Sequence, residues 1–212
     1  MFATECLVFA TSSSSVMQRL RRFLIGLSRI RHSRGFGIQS PTDYSFVRYV
    51  INEHDPYYQY KDLEKVVKGL DSKTRKLCQL YFRLSNFCQS PFFVDVRPDT
   101  SAAATYVKAA CGKTKVVMVD GSQQMMPESN RGPLLVRCKS HPEDFSFLED
   151  VFRCAQDGTI LIIEDIKSNA ESREVWQKLS DEKRVAAAYD LYDCGIIRMD
   201  KHRYTKKYII NF

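Results

Sequence analysis

From residue 92 onward the chain alternates unbroken apolar runs with longer segments whose apolar residues recur every three or four positions. "FFVDV" (92–96), "KVVMVD" (115–120), "PLLVRC" (133–138) and "GTILIIED" (158–165) read as buried strands. Helices are expected through "SAAATYVKAAC", "PEDFSFLEDVFRCAQ" and "AESREVWQKLSDE". Continuous apolar strands separated by helices imply a parallel sheet covered on both faces. Near the C-terminus, "VAAAYDLYDCGIIRMD" and "YTKKYIINF" are separated only by the polar link "KHR". These two segments read as an antiparallel hairpin at the sheet edge.

Upstream of residue 92 the period is helical throughout. Ser40 is placed as an N-cap, Pro41 as the first helical residue and Asp43 in the first turn of a helix reaching about Glu53. A polar helix follows the Pro turn in "HDPYYQYKDLEKVVKGLDS". "KTRKLCQLYFRLSNFCQ" is strongly apolar, with Leu77, Leu80, Tyr81, Leu84 and Phe87 on one face. Residues 1–16 are Ser/Thr-rich without periodicity and read as a disordered tail. The organisation is therefore a tail (1–16), an N-terminal helical extension (17–90) and an α/β domain (91–212).

Charge changes this picture at one place. Of the formal net charge of +7, six arginines, Arg19, Arg21, Arg22, Arg29, Arg31 and Arg34, fall within sixteen residues. Leu20, Phe23, Leu24, Leu27 and Ile30 recur among them at helical spacing. One reading is a helix docked by its apolar face with a solvated basic back. The other is a basic surface for nucleic acid or an anionic membrane. No apolar run reaches the roughly 18–20 residues of a membrane span and no secretory signal is apparent, so a cytoplasmic protein is expected. The seven cysteines have no C-x-x-C spacing and several sit in apolar segments, which favours buried free thiols over disulfides or zinc.

Taken in order, "RGFGIQSP" (34–41), "PYYQY" (56–60), "FRLSNF" (82–87), "FFVDV", "ILIIEDI" (160–166), "EVWQKL" (174–179) and "DLYDCGII" (190–197) resemble the small class I S-adenosylmethionine-dependent methyltransferases of Bacteroidota, with their "GFGVHSP" segment. The resemblance spans residues 19–212. It implies a Rossmann-like, mostly parallel sheet whose last strand is antiparallel, and S-adenosylmethionine as cofactor. "RGFGIQSP" would lie near the ligand crevice as a lid. In the family the first strand ends in an acidic residue followed by two glycines, which admit positive φ and close backbone approach to the cofactor. Here Asp95 matches the acidic position, Arg97 replaces the first glycine and Ser101 the second, with Asp99 between them able to neutralise Arg97. Asp120, closing the second strand, matches the carboxylate that holds the ribose hydroxyls; a strand-end Asp before Gly is equally an ordinary turn residue.

Only thirteen residues separate Asp120 from the next strand, too few for the family's third strand, so six strands are expected, with the one ending at Asp120 on the edge. Cys138 stands where the family tends to carry Asp, and no convincing metal set remains. Glu164 and Asp165 close an apolar strand at its C-terminal end, where open α/β sheets bind ligands. They could orient an acceptor or act as a base, or cap the helix beginning near Asn169. Arg97 has two alternatives of its own: it fills the cofactor volume and pairs with Asp95, Asp99 or Asp120, or it points into an open crevice toward an anion. Three functions stay open. They are a methyltransferase acting on an unknown small acceptor, a catalytically inactive module of the same fold that binds a protein partner, and a basic surface binder. No phosphate-loop, nucleophile-elbow or zinc-protease motif occurs.

Overall fold

The structure, a computed structural model, describes residues 17, 20–120 and 132–212. Helix α1 covers residues 20–28. A kinked 3-10 segment, Ile30–Gly35, leads to α2 (Pro41–Phe46), which runs on into a π-turn, Val47–Ile51. Then come α3 (Gln59–Val66), α4 (Ser72–Cys88), β1 (Phe92–Val96), α5 (Ala102–Ala110), β2 (Lys115–Val119) and β3 (Leu134–Lys139). A 3-10 turn (Pro142–Asp144) precedes α6 (Phe145–Cys154), β4 (Ile160–Glu164), α7 (Ala170–Ser180), β5 (Val185–Asp190), β6 (Cys194–Met199) and β7 (Lys206–Ile209). Helix starts follow local chemistry. The Ser40 side chain accepts from Asp43 N, Asp71 from Thr74 N and Asn169 from Ser172 N, each satisfying an orphan amide.

The strands form one sheet in the order β2-β1-β3-β4-β6-β5-β7. β1 to β4 are mutually parallel and β6 is antiparallel between β4 and β5. This is a Rossmann-like α/β fold. Period-two alternation splits the core between its faces. Phe93, Leu135, Ile162 and Tyr189 meet α2 to α5, whereas Val94, Val136, Ile163 and Ile197 meet α6 and α7.

The C-terminal pairing departs from expectation in two respects. The hairpin lies inside the first apolar segment, between β5 and β6, and turns at Leu191–Asp193. The "KHR" link instead leads to β7, which pairs parallel to β5. That outer strand makes seven strands rather than six among the described residues, with β2 on the opposite edge. The proposed loss of a third strand falls on residues 121–131, which lie outside the described residues.

Gly195 explains why "EVWQKL" and "DLYDCGII" belong together. A Cβ at Gly195 would stand 2.2 Å from the Trp176 ring, which packs on the sheet there. Gly195→Ala should therefore destabilise the protein by about 1–3 kcal/mol through overpacking. A denaturant melt of this variant against one also carrying Trp176→Leu, which should recover much of the loss, checks the assignment.

Two expectations for the helical extension are corrected. None of residues 34–41 lines the crevice described below, so the lid role fails. The segment leads instead into α2, whose Asp43, fully buried, sits among Tyr189, Tyr208, Arg198 and Arg203. Arg198 pairs in register with Ile160, the first residue of β4, at the strand end away from the crevice. The docked-by-its-apolar-face reading of α1 is also reversed. Arg29 is buried and donates to the Asp190 carboxylate and carbonyl, and Arg22 pairs with Asp193. Leu20, Phe23, Leu24, Leu27 and Ile30 face outward. Two partly buried carboxylates at the β5–β6 hairpin, Asp190 and Asp193, outcompete apolar burial in setting the helix's rotation.

Candidate functional site

At the C-terminal ends of β1, β3 and β4 lies a cleft of about 400 Å³, walled by α4 and the start of α5. Its floor is charged because three strands place charged residues on the same face at neighbouring register positions. Asp95 is the Cα partner of Arg137 across β1 and β3, and Glu164 pairs with Lys139 across β3 and β4. Arg137 Nη1 donates to Asp95 Oδ1 at 2.8 Å and Nε donates to Glu164 Oε1 at 2.7 Å. The Tyr81 hydroxyl, reaching down from α4, donates to the same Glu164 oxygen. Asp95 is wholly buried, and Arg137 and Glu164 nearly so.

The electrostatics follow from this enclosure. Burial pushes the Asp95 carboxyl above its usual range, and the Arg137 guanidinium counters only part of that rise. Burial and the neighbouring Glu164 hold the Tyr81 hydroxyl protonated far above its ordinary value, which keeps it a donor. Burial works against the charge on Arg137, but Glu164, Tyr81 and Asp95 outweigh it and raise its pKa further. Asp95 Oδ2 is buried without a hydrogen-bond partner among the described residues.

Around the rim the charges are paired as well. Lys73 Nζ donates to Asp165 Oδ1 at 2.7 Å; burial would pull this ammonium down, but Asp165 and Asp193 hold it up. Lys139 donates to Asp99, whose carboxyl it lowers. Asp165 adopts φ 58°, which turns its side chain toward α4, and Asn169 rather than either carboxylate caps α7. The capping alternative for Glu164 and Asp165 therefore fails.

The sequence-derived candidates thus divide. Asp99, Glu164 and Asp165 line the cleft, whereas Asp95 does not line it and is wholly buried, bonded to the lining residue Arg137. Arg97, Ser101 and Asp120 are not among its lining residues. Ser101 is exposed at the start of α5 and makes no side-chain cap, and Asp120 is exposed at the end of β2. Neither alternative for Arg97 holds. Its guanidinium pairs with Glu143 at 2.7 Å and Asp144 at 3.2 Å, and not with Asp95, Asp99 or an anion in the cleft. Its backbone nevertheless takes φ 46°, the left-handed conformation for which glycine is the usual residue. The backbone is glycine-like here while the side chain is anchored by Glu143 and Asp144.

Sequence reasoning missed Arg137, Tyr81, Lys73 and Lys139. The signal for Arg137 was a lone arginine inside an apolar strand. Its register against Asp95, which only the strand pairing supplies, gives that arginine its partner.

No protein-family model matches the chain, and no curated protein matches it. One solved structure, described as the crystal structure of cofactor-bound Rv0187 from MTB, aligns with a TM-score of 0.46 at 10% identity, covering 76% of this chain and 97% of that one.

Proposed function

We propose that the chain descends from S-adenosylmethionine-dependent methyltransferases and serves as a non-catalytic binding module, its former cofactor position closed from within. The observation that carries this reading is the buried chain Asp95–Arg137–Glu164–Tyr81. By the resemblance, Asp95 would help hold the cofactor; here Arg137 engages it from within the protein. Glu164 is equally engaged, since one oxygen accepts from both Arg137 and Tyr81, which leaves it poorly placed as a general base. The residues present do not fit the cofactor in the family's manner, and no methyl-transfer step follows from them.

A second reading, a working methyltransferase with an unknown small acceptor, is favoured by the glycine-like φ of Arg97 and the unpartnered Asp95 Oδ2. Calorimetric titration with S-adenosylmethionine and S-adenosylhomocysteine separates the two. A competent pocket binds at micromolar strength, about 8 kcal/mol; the module reading predicts no heat at millimolar ligand. It also predicts no gain in Arg97→Gly, because Arg137 remains over Asp95. Micromolar binding by the unmodified protein would establish the second reading in its place.

A further inference from the structure

We propose that α1 is a docking surface for an anionic lipid bilayer, lying in the headgroup region with its apolar stripe inserted. At 100° per residue, Phe23, Leu27, Leu20 and Leu24 fall within an arc of about 100°. Each is between 49% and 62% exposed. The opposite arc, with Arg22, Ile25, Gly26 and Arg29, meets the body of the protein, where Asp193 and Asp190 fix its rotation. The stripe is thus held outward by two ion pairs. Ile30 and Phe36, in the segment that follows the helix, are also exposed, at 63% and 77%. Single exposed leucines are ordinary; a contiguous stripe of this kind marks an interaction site.

Charge selects the occupant. From residue 6 to residue 42 the chain has six arginines and no Asp or Glu. Arg21, Arg31 and Arg34 are exposed along this stretch. A second copy packing stripe to stripe would bring these cations together, which is unfavourable. Nucleic acid would engage the arginines and leave the apolar residues in water. A bilayer bearing anionic headgroups satisfies both features at once. Among the described residues no helix is long and apolar enough to cross a membrane, so the contact is interfacial.

The test uses the full chain with vesicles of phosphatidylcholine alone and of phosphatidylcholine containing phosphatidylglycerol, scored by co-sedimentation. Binding is expected to the phosphatidylglycerol vesicles and to weaken with salt. The Phe23→Ser/Leu27→Ser variant should bind about tenfold more weakly with an unchanged melting temperature, since both side chains are already in water. Arg21→Gln/Arg31→Gln/Arg34→Gln should weaken binding and flatten its salt dependence. Absence of binding to the anionic vesicles overturns the proposal, as does equal binding by the serine variant. A dimer in lipid-free sedimentation that the serine variant abolishes would assign the stripe to a second copy and likewise overturn it.

Discussion

Replacing Arg137 with methionine should lower the unfolding free energy by about 3–5 kcal/mol, the range for removing one partner from a buried ion pair. The side chain's own contacts are a minor part of that loss. Its removal strands Asp95 and Glu164, two carboxylates on adjacent regions of one sheet face, without a cation, and Asp95 has no exposure through which water could compensate. Part of the effect should return as pH falls. The folded Asp95 carboxyl is already raised by burial, and loss of Arg137 raises it further. A group raised in this way contributes stability that is present below its unfolded value near 3.8 and lost as pH rises through the folded value. Urea unfolding of Arg137→Met at pH 7 and pH 4 should therefore show a smaller deficit at the lower pH.

Asp43→Asn should cost about 3 kcal/mol, toward the low end of the buried-pair range because Arg198 and Arg203 keep part of their surface in water. The carboxylate accepts from Tyr189 at 3.1 Å and Tyr208 at 3.0 Å, takes both its oxygens to Arg203 and pairs with Arg198, which ties α2 to β5, β7, the β6–β7 link and β6. Here the pH dependence has the opposite sign. Burial pushes this carboxyl up, but hydrogen bonds from Ser40, Tyr208 and Tyr189 and the charge of Arg203 outweigh it and hold the group below its usual 3.8. Its stabilisation is present above that value and is lost as pH falls through the folded value. The gap between Asp43→Asn and the parent protein should be constant above about pH 5 and close progressively below the usual carboxylate range near 3.8. A gap that widens in acid would contradict the assignment.

These two clusters show what the sequence could reveal and what it could not. Strands β1, β3 and β4 were legible because they are predominantly apolar runs buried on both faces; β2 was legible from its apolar composition although, as an edge strand, it buries only Val119. Helix α2 was legible because Ser40, Pro41 and Asp43 follow capping chemistry. Asp43, however, reads as a first-turn acid favouring the helix dipole, and nothing local announces that its partners lie about 150 residues downstream. The hairpin was misplaced because "DLYDCG" contains no turn glycine with positive φ. Tyr192 takes that conformation instead, at φ 76°, with its amide donating to Asp190 Oδ1. For α1 the periodicity was right and its orientation wrong, since hydrophobic burial ordinarily decides which face docks and here Asp190 and Asp193 do. At the site, Arg97 drew attention as the residue in a glycine's place. Arg137, which occupies no recognisable motif, is the one that meets Asp95.

The claim that Asp95 finds its cation inside the protein is tested most directly by a double-mutant cycle on stability between Asp95→Asn and Arg137→Met, measured by denaturant unfolding in the absence of any ligand. The account predicts strong coupling: the double variant should lose much less than the sum of the single losses, with an interaction energy of about 2 kcal/mol or more. Losses that add to within about 0.5 kcal/mol would mean that Asp95 and Arg137 act independently, and would contradict it.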